Sequence, residues 1–173
     1  GGGRRRGSSW RASSQIAALA ARGSRRARGG VRSTSGLIAN ALFLLASLPA
    51  ILAASVRLAR RKRRLAFDAL VATLREAGRA RPLPRLLARP ERLAGAVERL
   101  LPWLPPRGHG PCLKRALLLL ELWTRCGLEV RLHLGLRPGA GRGEAHAWLT
   151  ATGPGGATYQ ASSALDYREA FVF

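Results

Sequence analysis

Acidic residues are missing from the first 64 positions of this 173-residue chain, which hold 15 of its 30 lysines and arginines and none of its nine acids. The formal net charge of +21 therefore belongs mostly to that part, and the rest of the chain carries only +6. Such a split argues against reading the C-terminal part as a nucleic-acid module. No aromatic interleaving or RNA-binding signature accompanies the arginines, so no nucleic-acid partner is expected. Cysteine is scarce as well. Cys112 and Cys126 lie 14 positions apart on one helical stretch, about 21 Å at the rise of a straight helix, which a disulfide does not bridge. No disulfide framework follows, which fits a reducing, cytoplasmic compartment. No C-x-x-C pair occurs, so a structural zinc site is not expected. No cofactor is evident, and ATP dependence stays open. Methionine is absent altogether, even at position 1, and the expectation is a processed chain or a piece of a longer one.

Residues 1–30 are Gly, Arg and Ser rich, with one apolar patch at 15–21. They read as a disordered basic tail (domain limits 1–32), serving as a solvated segment or as an arm for anionic lipid or nucleic acid. Residues 33–56 contain no charge over 24 positions, long enough to cross a bilayer. Asn40, the serines and Pro49 dilute the stretch, and arginines flank both ends, so charge gives no orientation. A buried or interfacial helix and a membrane span both remain open, with membrane contact through residues 36–64. An amphipathic helix is expected over 65–77, ended by Gly78, and another over 90–101, opened by Pro90 and Glu91. These complete a helical region over 33–98.

The stretch 111–148 is the densest in chemistry. Leu113, Ala116, Leu117, Leu120 and Trp123 recur at helical spacing. Pro111 suits the first helical position and Gly127 the left-handed residue that ends a helix. Cys112 thus falls in the first turn, where unpaired N–H groups favour a thiolate, with Lys114 and Arg115 as nearby cations. Residues 128–136 alternate apolar and polar as a half-buried strand, and 137–143 reads as a loop. A second strand over 144–152 carries His146, Trp148 and Thr150 on one face. A turn over 152–156 leads to a third strand over 157–160, and 168–173 fits a fourth. Cys112 and His146 supply a thiol and a base, the pair a cysteine nucleophile needs. Residues 103–110 form a loop leading into Cys112, suited to walling the thiol. Of the other histidines, His133 reads as exposed or lightly packed and His109 as a loop residue. Cys126 reads as inert, and Arg115 as a partner for Glu121 or Glu144.

Cys112-Leu113-Lys114-Arg115-Ala116-Leu117, a helix closing in Cys126-Gly127-Leu128, an alternating strand and His146-Ala147-Trp148 together resemble the lasso-peptide maturation B proteins of the transglutaminase-like superfamily. The likeness covers 99–173, with helical character matching back to about residue 37. It implies an α+β fold in which N-terminal helices precede a cysteine-bearing helix packed on a small antiparallel sheet, a transglutaminase-like or papain-like core over 99–173. It also implies a cysteine peptidase that removes the leader from a ribosomally made precursor peptide, with Cys112 as nucleophile and His146 as base. The same chemistry with an amine acceptor would be transamidation. A precursor peptide, a separate leader-binding protein and a cyclising ligase would be its partners. The family's third residue, an acid on the strand that returns along the His strand, has two candidates here. Counting back through the turn puts Gln160 opposite His146, and an amide can orient an imidazole. Asp166 is the nearest acid and reaches His146 if the strand bends.

Overall fold

A computed structural model describes residues 34–105, 110–137, 144–161 and 167–173. The tail over 1–32 lies outside the described residues. Contacts divide the chain into Gly1–Leu37 and Ile38–Phe173, and the second unit holds everything that follows. Four helices, α1 (Thr34–Lys62), α2 (Phe67–Arg79), α3 (Pro90–Leu100) and α4 (Pro111–Arg125), lead into strands β1 (Glu129–Leu136), β2 (Ala145–Thr152), β3 (Thr158–Ala161) and β4 (Arg168–Val172). The sheet is antiparallel throughout, in the order β3-β2-β1-β4. The chain is thus α+β, helices first and sheet last.

Helix α4 is the centre of the core. From Ala116 to Thr124 every residue is buried, because α2, α3 and the sheet all pack on it. Ala147, Leu149 and Ala151 of β2 and Val130 and Leu132 of β1 join its leucines in one cluster with Ile51, Ala54 and Leu58 of α1. Gly127, at φ +80°, ends α4 in the left-handed region open to glycine. The chain then reverses into β1, which runs back along the helix.

Gly78 does not end α2. The helix continues to Arg79, and a Cβ at residue 78 would stand 2.7 Å from Thr124 Cβ and 2.9 Å from the Glu121 carbonyl. Its glycine is there so that α2 and α4 can touch. Helix α1 packs one side into the core, burying Phe43, Ser47, Ile51, Ala54, Ser55 and Leu58, and leaves Ile38, Leu42, Leu45, Leu52 and Val56 exposed. By length and composition it is apolar enough to cross a membrane, with a third of its apolar window buried. Arg57 of α1 meets the fully buried Glu121 of α4, its Nε donating at 3.0 Å to Oε1, while Oε2 has no partner among the described residues.

Candidate active site

Pro111 takes the first position of α4, and Gly110 before it has no side chain to cap the helix. The N–H groups of the first turn are therefore open to a ligand, and they carry the positive end of the helix dipole. Cys112 sits there half-buried, its Sγ turned back towards Gly110, 3.7 Å from where a Cβ of residue 110 would stand. Lys114 does not face the thiol. It is buried, and its Nζ donates to the carbonyls of Leu101, at 2.8 Å, and Leu104. The cation thereby fastens the turn that precedes the cysteine. Residues 106–109 of the expected wall, His109 included, lie outside the described residues.

His146 reaches the same end of the molecule by topology. Helix α4 runs away from Cys112, β1 returns, and its last residues pair with the first of β2: Gly135 faces His146 and Leu136 faces Ala145. The imidazole shares the end of the layer with Cys112. It is Ala147, Leu149 and Ala151, on the other face of the strand, that enter the core with the α4 leucines. Arg115, one turn along α4 from Cys112, links the two elements electrically. Partial burial, and then the charge of Arg115, hold the His146 pKa below that of a free imidazole. The ring is stacked against Trp148, centroids 6.2 Å apart, and against Tyr167, 4.6 Å apart at 24°. An imidazole kept neutral in this way is suited to accept a proton from a thiol.

The register moves Gln160 away from the place that counting through the turn gives it. Pro154–Gly156 forms a single 3-10 turn, and β3 then pairs Thr150 with Gln160. His146 is four residues further along β2, about 13 Å at strand spacing. Gln160 does not oppose the imidazole. Asp166 lies outside the described residues, as does the loop expected over 137–143 from residue 138 onward. Tyr167, whose ring lies on His146, is a site residue that no sequence motif marked.

His133 is not a lightly packed surface residue. Its Nδ1 lies 2.5 Å from Glu169 Oε2 and its Nε2 2.7 Å from Thr150 Oγ1. Its ring stacks on Trp148 at 5.4 Å and 7°. Three strands thus contribute to a row that fixes the indole on which His146 rests. Glu169, an acid that sequence reasoning left out, is committed to this row. Arg115 pairs with Glu98 at 2.7 Å, and Glu121 with Arg57. Both acids considered for Arg115 are thereby replaced, since Glu144 pairs with Arg137 at 3.2 Å.

Arg115 also borders a groove of about 450 Å³ that runs along α4 over Leu119 and Trp123, between Glu98 of α3 and Gln160 of the edge strand β3. It begins one helical turn from Cys112 and is open to solvent along its length, as an extended peptide would require. Cys126 is different in kind from Cys112. Burial pushes its thiol up to about 11, which keeps it protonated and inert near neutrality. Among the described residues no group of three or more His, Cys, Asp or Glu is placed to hold a metal ion.

No curated protein and no solved structure matches the chain. A family model does. The transglutaminase-like superfamily matches residues 50–169, a span that opens inside α1 and closes on β4. It takes in the Cys112 helix, the His146 strand and Tyr167, and it fills well over half of the chain. Fold, cysteine position and family match converge, and the chain belongs to the transglutaminase-like superfamily.

Proposed function

We propose that this protein is a cysteine peptidase that removes the leader from a ribosomally synthesised precursor peptide during lasso-peptide maturation. The superfamily includes cysteine-peptidase-type enzymes, and the carrying observation is the shared end of α4 and β2. A cysteine in an uncapped first helical turn and a depressed-pKa histidine meet there beside one arginine. His146 takes the thiol proton and the Cys112 thiolate adds to the scissile carbonyl carbon. The tetrahedral oxyanion is held by first-turn N–H groups, that of Cys112 among them. The C–N bond breaks as the imidazolium gives its proton to the departing amine, leaving a thioester. Water, deprotonated by His146, then displaces the thiolate, which recovers a proton as the carboxylic acid product leaves. Asp166 is our choice for the residue that orients the imidazole. The support is that its neighbour Tyr167 lies against His146 while Gln160 pairs with Thr150.

The reading assigns the chain to the cytoplasm, with a precursor peptide as substrate and a separate leader-binding protein and a cyclising ligase as partners. A mass-spectrometric cleavage assay tests it, using the full chain, the leader-binding protein and a candidate precursor. Cleavage lost in Cys112→Ala and in His146→Ala, reduced in Asp166→Asn and kept in Gln160→Ala is the expected pattern. Cleavage that survives Cys112→Ala overturns the thiol mechanism. Bound but intact peptide overturns the peptidase reading in favour of a peptide-binding module. Transfer of the acyl group to an added amine in place of water overturns it in favour of a transamidase.

A further inference from the structure

We infer that the outward face of α1, with the cationic turn that follows it, is a docking surface for an anionic lipid bilayer. This inference goes beyond the peptidase reading and does not depend on it. Ile38, Leu42, Leu45, Leu52 and Val56 lie on one side of α1, each between 40% and 65% exposed. They fall within about 40° of a common direction at 100° per residue, along about 27 Å of helix. The opposite side is the one buried in the core. Arg60 continues the exposed stripe, and Arg63 and Arg64 follow in the next turn.

The neighbouring cations are already engaged. Arg57 is bound to Glu121 and Arg61 donates to the Thr73 carbonyl at 2.8 Å, and Lys62 has an interaction of its own. Arg60, Arg63 and Arg64 have no side-chain partner among the described residues. Beside them stands Trp103, 81% exposed, across a groove of about 1180 Å³ that Val56, Arg60, Arg63, Arg64, Leu65 and Trp103 help to line. An apolar helix face, unpaired arginines at its end and an exposed indole at the same level match the layers of a bilayer surface: acyl chain, anionic headgroup, and the boundary that tryptophan favours.

Two observations select this occupant. The first acid in the chain is Asp68, so the whole face is free of negative charge, and a second copy would offer it no complementary charge. A spanning pose would withdraw Ile51, Ala54 and Leu58 from the core and split Arg57 from Glu121. Lying in the interface uses only side chains that are already outside.

The test is flotation of the full chain with vesicles of phosphatidylcholine alone and of phosphatidylcholine mixed with phosphatidylglycerol. Binding is expected to the mixed vesicles, to weaken with added salt, and to fall about a hundredfold in Arg60→Gln/Arg63→Gln/Arg64→Gln. Leu42→Gln/Leu45→Gln/Val56→Gln should also lose it while keeping the urea midpoint of the parent. Brominated lipid should quench the parent and leave Trp103→Phe largely unquenched. Flotation unchanged in both triple variants overturns the inference and assigns binding to the basic segment before α1. No flotation on mixed vesicles overturns it, and so does a parent dimer that the Leu42/Leu45/Val56 variant dissolves. None of these outcomes bears on cleavage, which the peptidase assay reads separately.

Discussion

Replacing Gly135 by alanine adds one methyl group at the point where the strands of the site meet. Gly135 stands opposite His146 on one side and Glu169 on the other. A Cβ there would lie 2.7 Å from the Arg168 carbonyl oxygen and 2.8 and 2.9 Å from Cζ3 and Cη2 of Trp148. Gly135 has no positive φ, so the cost is steric and not conformational. Forcing an extra methyl into a packed site costs about 1–3 kcal/mol. One of the obstructing atoms is backbone, which no rotamer change relieves, so we expect the upper half of that range, about 2–3 kcal/mol. With a urea slope of about 1–3 kcal/mol/M for a small protein, the midpoint should drop by roughly 1 M or more. The near-ultraviolet circular dichroism of Trp148 should change as well, since the indole must leave its stack with His133 and His146. Gly95→Ala is the control. Nothing lies within 4 Å of a Cβ at that helical position, so alanine should stabilise by about 0.5–1 kcal/mol. If Gly135→Ala matches the parent within about 0.5 kcal/mol and leaves the tryptophan signal unchanged, the close packing beneath Trp148 is refuted.

The buried pair between α1 and α4 gives a second test. Arg57→Ala leaves the Glu121 carboxylate alone in the core and should cost about 3 kcal/mol by urea denaturation, the low end for a broken buried pair because Arg57 is partly exposed. Arg57→Met with Glu121→Leu should recover most of that. An NMR titration should place His146 below the value of about 6.5 for free histidine, and Arg115→Gln should raise it. The unfolded chain binds this proton more readily, so the histidine's contribution to stability is complete above the unfolded value and is lost as pH falls through the folded one. A fit above 6.5 would contradict the geometry. Iodoacetamide at pH 8 should label Cys112 well ahead of Cys126, of which only about one molecule in a thousand is thiolate at that pH. Cys112→Ser should remove the fast phase and Cys126→Ser should keep it.

Periodicity carried most of the architecture. The α4 leucines and the alternation of β1 and β2 are each set by a single apolar surface to bury, so helix, strands and their order were legible, and with them Cys112 and His146. What escaped depends on contacts between segments far apart in the chain. Gly78 looks like a helix end locally and is a helix–helix contact. His133 shares a polar strand face with Arg131, and only the arrival of β4 gives it Glu169. Lys114 reads as a cation beside a thiol until Leu101 and Leu104 turn their carbonyls towards it. The place of Gln160 rested on how many residues a turn consumes, and a three-residue 3-10 turn is a different count from the one assumed. Tyr167 carried no signal, because nothing in one sequence says which aromatic ring will lie on an imidazole.

The way β1 doubles back along α4 makes the site unequally tolerant of insertion and deletion. Lengthening the connection between β1 and β2 adds chain outside the ladder and leaves Gly135 facing His146. One residue gained or lost between His146 and Thr152 has another effect. Side chains alternate along a strand, so with the turn held fixed the imidazole would pass to the face now held by Ala147. The histidine would be driven into the leucines of the helix and an alanine left in its place. Drift in length should therefore collect in the connection, while the spacing from His146 to the following turn stays fixed.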